Sequence, residues 1–311
     1  MTKVETLIIS DRLDFATDYV TTILEVARAG YLRINRDALS EYRIILDLSK
    51  ECLIIGIDED EYEISDSSLK SVYYRAPTFL RETFLSNNSI DVQLESSQWM
   101  AFVRNLCYFE NARWMNNPIN IFRCENKMLQ LRIAKRNGFL IPETYVSNRH
   151  LSYFSNEYII KSIDTVVLKD DKGEAFFYTN IIDNDEISKY SINTAPIFFQ
   201  EYLKNKLDIR ITVIGKKIFP FGIYSKDGSI IEDDWRKHKD DVVFKKIELP
   251  NDISNAVIKI MTEFDLNFAG IDLIKLNNKY YFLEINPTGE WAWLMNYCED
   301  KLDYEIANWL G

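Results

Sequence analysis

The chain has 311 residues and a net charge of −11, and 47% of its residues are hydrophobic. This composition supports a large buried core, and the negative charge argues against a general nucleic-acid or anionic-membrane binder. Four widely spaced cysteines and two histidines argue against structural zinc or a disulfide framework. We recognise no secretory signal and no membrane-spanning run, so we expect a soluble, cytoplasmic protein.

The first third of the chain carries strand patterns and two helical patterns. Short apolar runs predict strands at residues 5–10, 31–34, 44–48, 52–57 and 72–74. A helix that Asp11 or Asp14 can cap is predicted by apolar residues at helical spacing, namely Phe15, Tyr19, Ile23 and Ala27. Residues 58–68 are predicted to form a turn-rich connection, and residues 91–111 an amphipathic helix. These elements predict an α/β domain over residues 1–115.

Two further units are predicted, over residues 116–195 and 196–311. The first is expected to hold a helix beginning near Lys127, a strand at residues 159–161 and a hairpin over residues 166–178. The second is expected to hold two strands, a helix, a hairpin and a closing helix, at residues 196–203, 211–214, 252–264, 270–291 and 297–309. No internal repeat interrupts this order.

The hairpin over residues 270–291 carries three oxygen-bearing side chains that suit a hard cation. Glu284 and Asn286 leave the same face of its second strand because strand side chains alternate. Asp272 joins them only if the loop has three residues, 277–279, because a two-residue turn places Asp272 and Glu284 on opposite faces. The metal interpretation therefore predicts the odd-length loop, and a solvated hairpin edge is an equal alternative.

Other charged side chains stand at strand ends and at a helix start. Lys127 opens a helix and Lys161 ends a strand, and each suits a nucleotide phosphate or an ordinary surface position. Asp208 and Arg210 share one face of a strand by alternation. Arg75 can grip a phosphate or a carboxylate, although a solvated strand-end charge is favoured without further context.

The order of the charged residues along the chain resembles that of the nucleotide site of ATP-grasp enzymes. That resemblance rests on Lys127, Lys161, Glu201, Asp208, Asp272 and the sequence EINP at residues 284–287. Over most of its length the chain also resembles the peptide ligases of the microviridin, or graspetide, group, through VYYRAP, NNP, NK..QL, QEYLKNKLDIR, DWR and EINPTGEWAW. The resemblance implies an α/β (α+β) ATP-grasp fold with a pre-ATP-grasp-like N-terminal domain, a central domain and a C-terminal ATP-binding domain.

The resemblance also implies roles for individual residues. The ATP-binding set it implies is Lys127, Lys161, Glu201, the Leu203 backbone and Asp208. The Mg²⁺ ligands it implies are Asp272, Glu284 and Asn286. Arg210 and Arg236 are implied to act catalytically on the phosphates and the acceptor carboxylate, and Arg75 to lie near the substrate peptide. The acidic residues Asp183, Asp185 and Glu186 can pair with a basic residue of the peptide leader. A solvated loop is an equal alternative for this stretch.

Ligases of this group use ATP to join Asp or Glu side chains of a ribosomal precursor peptide to Ser, Thr or Lys side chains, through an acyl phosphate. No general base is evident, because His150 and His238 are each expected to be structural or solvated. The turn over residues 162–165 lacks the glycines that often cover phosphates. Gly270 stands where D-alanine ligases carry an arginine, so Arg236 is expected to supply that charge.

Two alternatives to a peptide ligase are open. One is an ATP-grasp carboxylate-amine ligase that acts on a small molecule or a protein C-terminus. The other is a non-catalytic nucleotide- and peptide-binding module. For the chain as a whole we expect a precursor peptide as partner, no nucleic acid, no membrane, and a homodimer.

Overall fold

The apolar runs form strands and helices in the computed structural model. It describes residues 1–75, 89–149, 157–163, 167–170, 173–176, 180–182, 195–231, 234–297 and 299–311. The described strands are β1 Thr2–Lys3, β2 Thr6–Ser10, β3 Tyr31–Asn35, β4 Arg43–Asp47, β5 Cys52–Ile57, β6 Asp60–Ser65, β7 Ser71–Tyr74, β8 Arg113–Met115, β9 Thr144–Ser147, β10 Tyr158–Lys161, β11 Val167–Asp170, β12 Gly173–Phe176, β13 Asn180–Ile182, β14 Ile197–Glu201, β15 Leu207–Ile214, β16 Lys217–Ser225, β17 Val242–Lys246, β18 Phe268–Leu276 and β19 Lys279–Asn286. The described α-helices are α1 Phe15–Val26, α2 Ile90–Asn105, α3 Pro118–Cys124, α4 Lys127–Arg136, α5 Asn251–Phe264 and α6 Leu302–Leu310. Short 3₁₀ helices cover Arg36–Glu41, Leu106–Tyr108, Trp235–Asp241 and Ala292–Asn296.

Two sheets build the N-terminal third. Strands β3, β2, β7 and β8 lie parallel in that order, and β1, β6, β5 and β4 form a mostly antiparallel second sheet. Leu53 and Val72 are fully buried in the core that the sheets share. The prediction of a turn-rich connection over residues 58–68 is wrong, because most of this segment is strand β6. Its alternating Tyr62 and Ile64 pack on that core.

Helix α1 begins where Asp14 caps it by accepting a hydrogen bond from a backbone N–H of the first turn. The predicted helix is therefore confirmed. The apolar stripe expected from the sequence is not the buried face of the helix, since Phe15 and Tyr19 are 69% and 50% exposed. Val20 and Leu24 pack instead, because the face that meets α6 is offset by one position.

A five-stranded antiparallel sheet in the order β17-β16-β15-β18-β19 forms the C-terminal part. Helices α4 and α5 pack on it through an apolar core that includes Ile211, Val257 and Ile271. A smaller antiparallel sheet in the order β13-β10-β14-β9 has its own small core around Tyr158 and Phe199. Within the described residues, the predicted hairpin is confirmed by the antiparallel pairing of β11 with β12.

The turn of the C-terminal hairpin has two residues. Leu276 pairs with Lys279, and Asn277 and Asn278 between them have positive φ angles of 48° and 62°. Two consecutive left-handed residues are what a type I′ hairpin turn requires, and asparagine tolerates that conformation. The predicted three-residue loop is therefore wrong.

A β-bulge nevertheless brings Asp272 and Glu284 together. Leu273 pairs with Phe282, but its neighbour Asp272 pairs with Glu284, so Leu283 is an extra residue on β19. The bulge shifts the register by one position after the turn has set it. It provides the pairing that the odd-length loop was expected to provide.

Residues from both ends of the chain form a third apolar core. Ile8, Val20, Phe221, Trp291 and Leu310 meet there, and each is fully buried. The N-terminal third is thereby joined to the five-stranded sheet through side-chain packing. The mixed α/β class is confirmed, and the domain boundaries stay a prediction. In the described part of the chain, no helix has the length and apolar character needed to cross a membrane.

Candidate active site

A cleft with an empty volume of about 710 Å³ lies between the small sheet and the five-stranded sheet. Residues of β10 and the end of β14 line one side, and residues of β15, β16, β18 and β19 line the other. Sequence-predicted site residues that line the cleft are Lys161, Glu201, Leu203, Asp208, Arg236 and Asp272. The fold thus collects residues from several distant stretches of the chain in one concave site.

Strand β15 places Asp208 in the lining of the cleft and Arg210 two residues further along the same face. Ile209 and Ile211 are buried in the apolar core, whereas Asp208 and Arg210 lie on the other face. Arg210 lies opposite Asp272, and its Nη1 donates a hydrogen bond to Asp272 Oδ1 at 2.9 Å. The two residues are 8% and 9% exposed, so this charge-assisted bond is protected from water.

Two glycines make room for the Arg210 guanidinium. A Cβ on Gly270 would lie 2.3 Å from Arg210 Nη2, and a Cβ on Gly289 would lie 2.7 Å from the same atom. Because real side chains do not approach this closely, the guanidinium fills the space that either glycine leaves open. Arg210 therefore lies beside Gly270, and the expectation that Arg236 supplies the charge there stays a prediction.

Lys127 and Lys161 approach the cleft from the side of the small sheet. Lys161 Nζ donates a hydrogen bond to Gln200 Oε1 at 2.9 Å, and Lys127 Nζ donates one to the Ser162 carbonyl at 3.2 Å. Burial lowers the pKa of Lys161, and the negative charge of Glu284 opposes this shift. The two lysines therefore belong to the same electrostatic environment as Glu284.

Glu284 stays ionised although its side chain is only 22% exposed. Burial raises its pKa, but the positive charges of Lys161, Arg236 and Lys127 outweigh that effect, and the pKa falls to about 2. Arg236 Nη2 lies 3.7 Å from Glu284 Oε1, and the Asn286 amide donates a hydrogen bond to the same oxygen at 3.5 Å. At neutral pH the site therefore contains a carboxylate anion among cations.

Arg236 lies in the first turn of a 3₁₀ helix that Asp234 caps. Asp234 Oδ1 accepts a hydrogen bond from the Arg236 backbone N–H at 3.1 Å. The Arg236 side chain is 39% exposed, compared with 9% for Arg210, so its guanidinium is the more accessible of the two. Asp234 Oδ2 is buried and has no hydrogen-bond partner within the described residues. Sequence reasoning missed Asp234, although it precedes Trp235 and Arg236 in the DWR stretch.

The residues implied for adenine and ribose lie where β14 leads into β15. Glu201 Oε2 accepts a hydrogen bond from the Glu143 backbone N–H at 3.2 Å, and Leu203 is buried beside it. Lys206 forms an ion pair with Asp208, and burial raises the pKa of Asp208 against the effect of Lys206. Lys206 was not predicted from the sequence, although it precedes Asp208 by the two-residue spacing of one strand face.

Arg75 is not among the residues that line the cleft. Its side chain is 4% exposed and forms ion pairs with Asp14 at 3.3 Å and with Glu290 at 2.9 Å. It also donates a hydrogen bond to the Thr288 carbonyl at 3.4 Å, so it ties the start of α1 to the segment after β19. Its contact with a substrate stays a prediction. Outside the described residues lie His150, Asp183, Asp185 and Glu186.

The predicted metal ligands form a small donor set. Within the described residues, no group of three or more His, Cys, Asp or Glu side chains is placed to hold a metal ion. Asp272 and Glu284 are paired by the bulge, and Asn286 shares their face. Mg²⁺ takes one or two carboxylates and completes its shell with water and phosphate oxygens. The donors therefore fit a magnesium ion bound together with a nucleotide.

Sequence comparisons agree with this geometry. Residues 124–310 match the RimK-like ATP-grasp domain family. The chain is 24% identical over 240 residues to the alpha-aminoadipate–LysW ligase LysX of Sulfurisphaera tokodaii, and the match covers 71% of this chain and 80% of LysX. Residues 124–310, which match the family, contain every element that lines the cleft.

Two solved structures share the fold over nearly the whole chain. A RiPP-associated ATP-grasp ligase of Chryseobacterium gregarium, in complex with ADP and a leader and core peptide, has a TM-score of 0.84 at 24% identity and covers 100% of this chain and 96% of its own. The macrocyclase MdnC of Microcystis aeruginosa MRC, bound with the precursor peptide MdnA, has a TM-score of 0.82 at 22% identity and covers 98% of each chain. The predicted ATP-grasp fold is confirmed, and the chain belongs to the RimK-like ATP-grasp family.

Proposed function

We propose that the chain is an ATP-dependent, ADP-forming ligase that crosslinks side chains of a ribosomal precursor peptide. It joins Asp or Glu carboxylates to Ser or Thr hydroxyls, or to Lys amines, and so closes ester or amide macrocycles. The observation that carries the proposal is the pairing of Asp272 with Glu284 beside a cleft that is lined by the cations Lys161 and Arg236, with Arg210 bonded to Asp272.

The chemistry requires activation, because a free carboxylate is a poor electrophile. A carboxylate oxygen attacks the γ-phosphorus of ATP, the bond from that phosphorus to the bridging oxygen breaks, and ADP leaves. The product is an acyl phosphate. A hydroxyl or amine then attacks the acyl carbon and loses its proton, and inorganic phosphate leaves. Each link therefore removes one water and consumes one ATP.

The nucleotide-binding residues hold ATP in a fixed direction across the cleft. Lys127 and Lys161 are assigned to the phosphates, Glu201 and the Leu203 backbone to the adenine, and Asp208 to the ribose. The half-buried position of Lys161 and the burial of Leu203 support this assignment, because charge interactions strengthen where water is excluded. Positioning of this kind supplies most of the catalysis in phosphoryl transfer.

The two arginines are assigned to the groups that react. Arg210 is buried and held by Asp272, so it presents a fixed positive charge to the acceptor carboxylate. Arg236 is more exposed and lies near Glu284, so it can follow the charge that develops on the transferred phosphoryl group. When held by Asp272, Glu284 and Asn286, Mg²⁺ supplies further charge neutralisation at the phosphates.

A peptide substrate is supported by two structural neighbours whose complexes contain precursor peptides. We assign leader binding to the acidic stretch Asp183, Asp185 and Glu186, and a contact with the peptide to Arg75, whose ion-pair partner Glu290 is exposed. A homodimer and a cytoplasmic location complete the proposal.

The match to LysX favours a second candidate, a carboxylate-amine ligase that acts on a small molecule or a protein terminus. Both candidates activate a carboxylate in the same way, so the ATP site does not distinguish them. The first candidate requires a leader peptide for activity, and the second does not. A non-catalytic binding module is disfavoured, because a decayed enzyme is expected to have lost at least one of Lys127, Lys161, Asp272, Glu284 and Asn286.

The test uses a synthetic precursor peptide. Its sequence is taken from the short reading frame next to the gene, choosing the frame that is richest in Thr, Ser or Lys and in Asp or Glu. With Mg²⁺ and ATP, the chain is expected to release ADP only when this peptide is present, and mass spectrometry is expected to show one water lost per link. The variant Glu284→Gln is expected to lose both activities. Crosslinking of free amino acids without a leader, or ADP release without loss of peptide mass, would contradict the proposal.

A further inference from the structure

Strand β19 is held along its outer edge by groups that do not belong to the sheet. It is the last strand of the five-stranded sheet, so one row of its backbone groups faces away from β18. Leu140 covers this edge on the turn side of the bulge. Its N–H donates a hydrogen bond to the Tyr280 carbonyl at 3.3 Å, and its carbonyl accepts one from the Phe282 N–H at 2.8 Å.

Gln130 of α4 covers the same edge on the other side of the bulge. Its Nε2 donates hydrogen bonds to the carbonyls of Ile285 at 2.9 Å and Cys124 at 2.7 Å, and its Oε1 accepts one from the Ile285 N–H at 3.1 Å. Gln130 is 3% exposed, so water does not compete for these bonds. An amide side chain thus replaces a neighbouring strand at the residue between Glu284 and Asn286.

A second buried amide supports the same segment. Asn116 Nδ2 donates a hydrogen bond to the Pro287 carbonyl at 2.6 Å, and Asn116 is 1% exposed. Gln130 and Asn116 therefore fix the backbone on both sides of Asn286. Gln130 lies in the NK..QL stretch and Asn116 in the NNP turn.

The bulge needs such support because its register is not the one that the turn sets. After a two-residue turn, a regular ladder pairs Asp272 with Leu283 and moves Glu284 to the opposite face. The hydrogen bonds from Gln130 hold Ile285, two residues after the extra residue Leu283, next to the point where a slip toward the regular ladder begins. Loss of these bonds leaves two buried backbone groups without partners, which favours rearrangement.

We propose that Gln130 is a positioning residue for the magnesium ligands. It holds the bulged register of β19 and so keeps Glu284 and Asn286 on the face of Asp272. This inference rests on the proposed use of that face for a magnesium nucleotide, and Gln130 itself touches neither metal nor substrate. A merely structural role would anchor α4 to the sheet and would change folding stability without changing Mg²⁺ affinity.

The test measures ADP binding by isothermal titration calorimetry, in EDTA and at increasing Mg²⁺ concentration. Gln130→Met keeps the size of the side chain and removes its hydrogen bonds. It is expected to weaken the apparent Mg²⁺ affinity about 10- to 100-fold, the range seen when outer-sphere support of a metal ligand is lost. Its ADP affinity in EDTA is expected to match that of the wild type, and exchange of the Ile285 amide hydrogen is expected to be faster.

Asn137→Leu is the matched control, because the Asn137 amide near the end of the same helix bonds to Ile133 and Glu263 and not to β19. It is expected to keep the wild-type Mg²⁺ dependence. If Gln130→Met does not fold, Gln130→Glu, which keeps an acceptor for the Ile285 N–H, is measured instead, and a smaller loss of Mg²⁺ affinity is expected.

Unchanged Mg²⁺ affinity in a folded Gln130 variant would overturn the inference. An equal loss of ADP affinity with and without Mg²⁺ would also overturn it. The proposed function fails by a different result, namely a wild-type chain that binds ADP with Mg²⁺ and forms no crosslink in its precursor peptide.

Discussion

Replacing Gly270 by alanine is expected to disable the site while leaving the sheet folded. The new Cβ would lie 2.3 Å from Arg210 Nη2 and 2.6 Å from Arg210 Cζ, so the guanidinium has to move. On the other side the guanidinium already fills the space that Gly289 leaves open, because a Cβ built there would lie 2.7 Å from the same nitrogen. The displaced guanidinium loses its 2.9 Å hydrogen bond to Asp272.

A hydrogen bond to a charged group contributes about 1.5–3 kcal/mol, so the free energy of unfolding is expected to fall by about 2 kcal/mol in urea denaturation. The rate of peptide-dependent ADP release is expected to fall more, by about 100-fold, because a displacement of about 1 Å in a reacting site has that effect. The perturbation thus acts mainly on the chemistry.

Gly222→Ala is the matched control for the general effect of alanine on a strand. Gly222 lies in the same sheet, and a Cβ there meets the ring of Tyr224 at 2.8 Å and not Arg210. Both variants share the change in the unfolded chain, so their difference isolates the guanidinium. Wild-type ADP release by Gly270→Ala, or an equal loss in both variants, would refute the assignment of a socket for Arg210.

Two other substitutions test the charged groups. Lys161→Met removes a cation that lowers the pKa of Glu284 to about 2, so this pKa is expected to rise. Because protonation removes a metal ligand, Mg²⁺-dependent ADP binding is then expected to be lost at a higher pH than in the wild type as the solution is acidified. Arg75→Met leaves the partly buried carboxylate of Asp14, which is 15% exposed, without its cation, and urea denaturation is expected to show a loss of about 3 kcal/mol in the free energy of unfolding. The control Arg12→Met removes an exposed ion pair and is expected to lose less than about 1 kcal/mol. An unchanged pKa of Glu284 in Lys161→Met would contradict the first expectation. Equal losses of unfolding free energy in the two arginine variants would contradict the second.

Local patterns were sufficient for most elements but not for their packing. The Asp14 cap and the hairpin over residues 166–178 could be predicted because the residues that determine them are neighbours in sequence. The buried face of α1 could not, because Phe15 and Tyr19 have the right spacing but α6 meets the adjacent stripe. Likewise β6 was missed because its charged residues conceal a short alternating pattern.

The register at the metal ligands shows the same limit. Alternation placed Glu284 and Asn286 together, and the Asn277-Asn278 pair is itself a signal for a two-residue turn. The bulge at Leu283 has no local signal, since it depends on Gln130, which lies 155 positions before Ile285. An interaction at this separation becomes visible only in the folded chain.

Candidate residues were recognised where their order along the chain resembled a family, and missed where only contact defines them. Lys206 and Asp234 joined the cleft through their surroundings and not through a motif. Taken alone, Arg75 was expected to be a solvated strand-end charge, and this is wrong, because the structure buries it in a junction with Asp14 and Glu290. A strand-end arginine cannot be assigned a partner until the packing around it is known.

Transfer of oxygen from the peptide to phosphate tests carboxylate activation in the cleft most directly. A precursor peptide whose Asp and Glu carboxylates carry ¹⁸O is incubated with the chain, Mg²⁺ and ATP, and the inorganic phosphate is analysed by mass spectrometry. Attack of a labelled carboxylate on the γ-phosphorus, followed by release of phosphate, is expected to place one labelled oxygen in phosphate for each link formed. Unlabelled phosphate in a reaction that forms links, or links formed without ATP, would contradict an acyl-phosphate ligase.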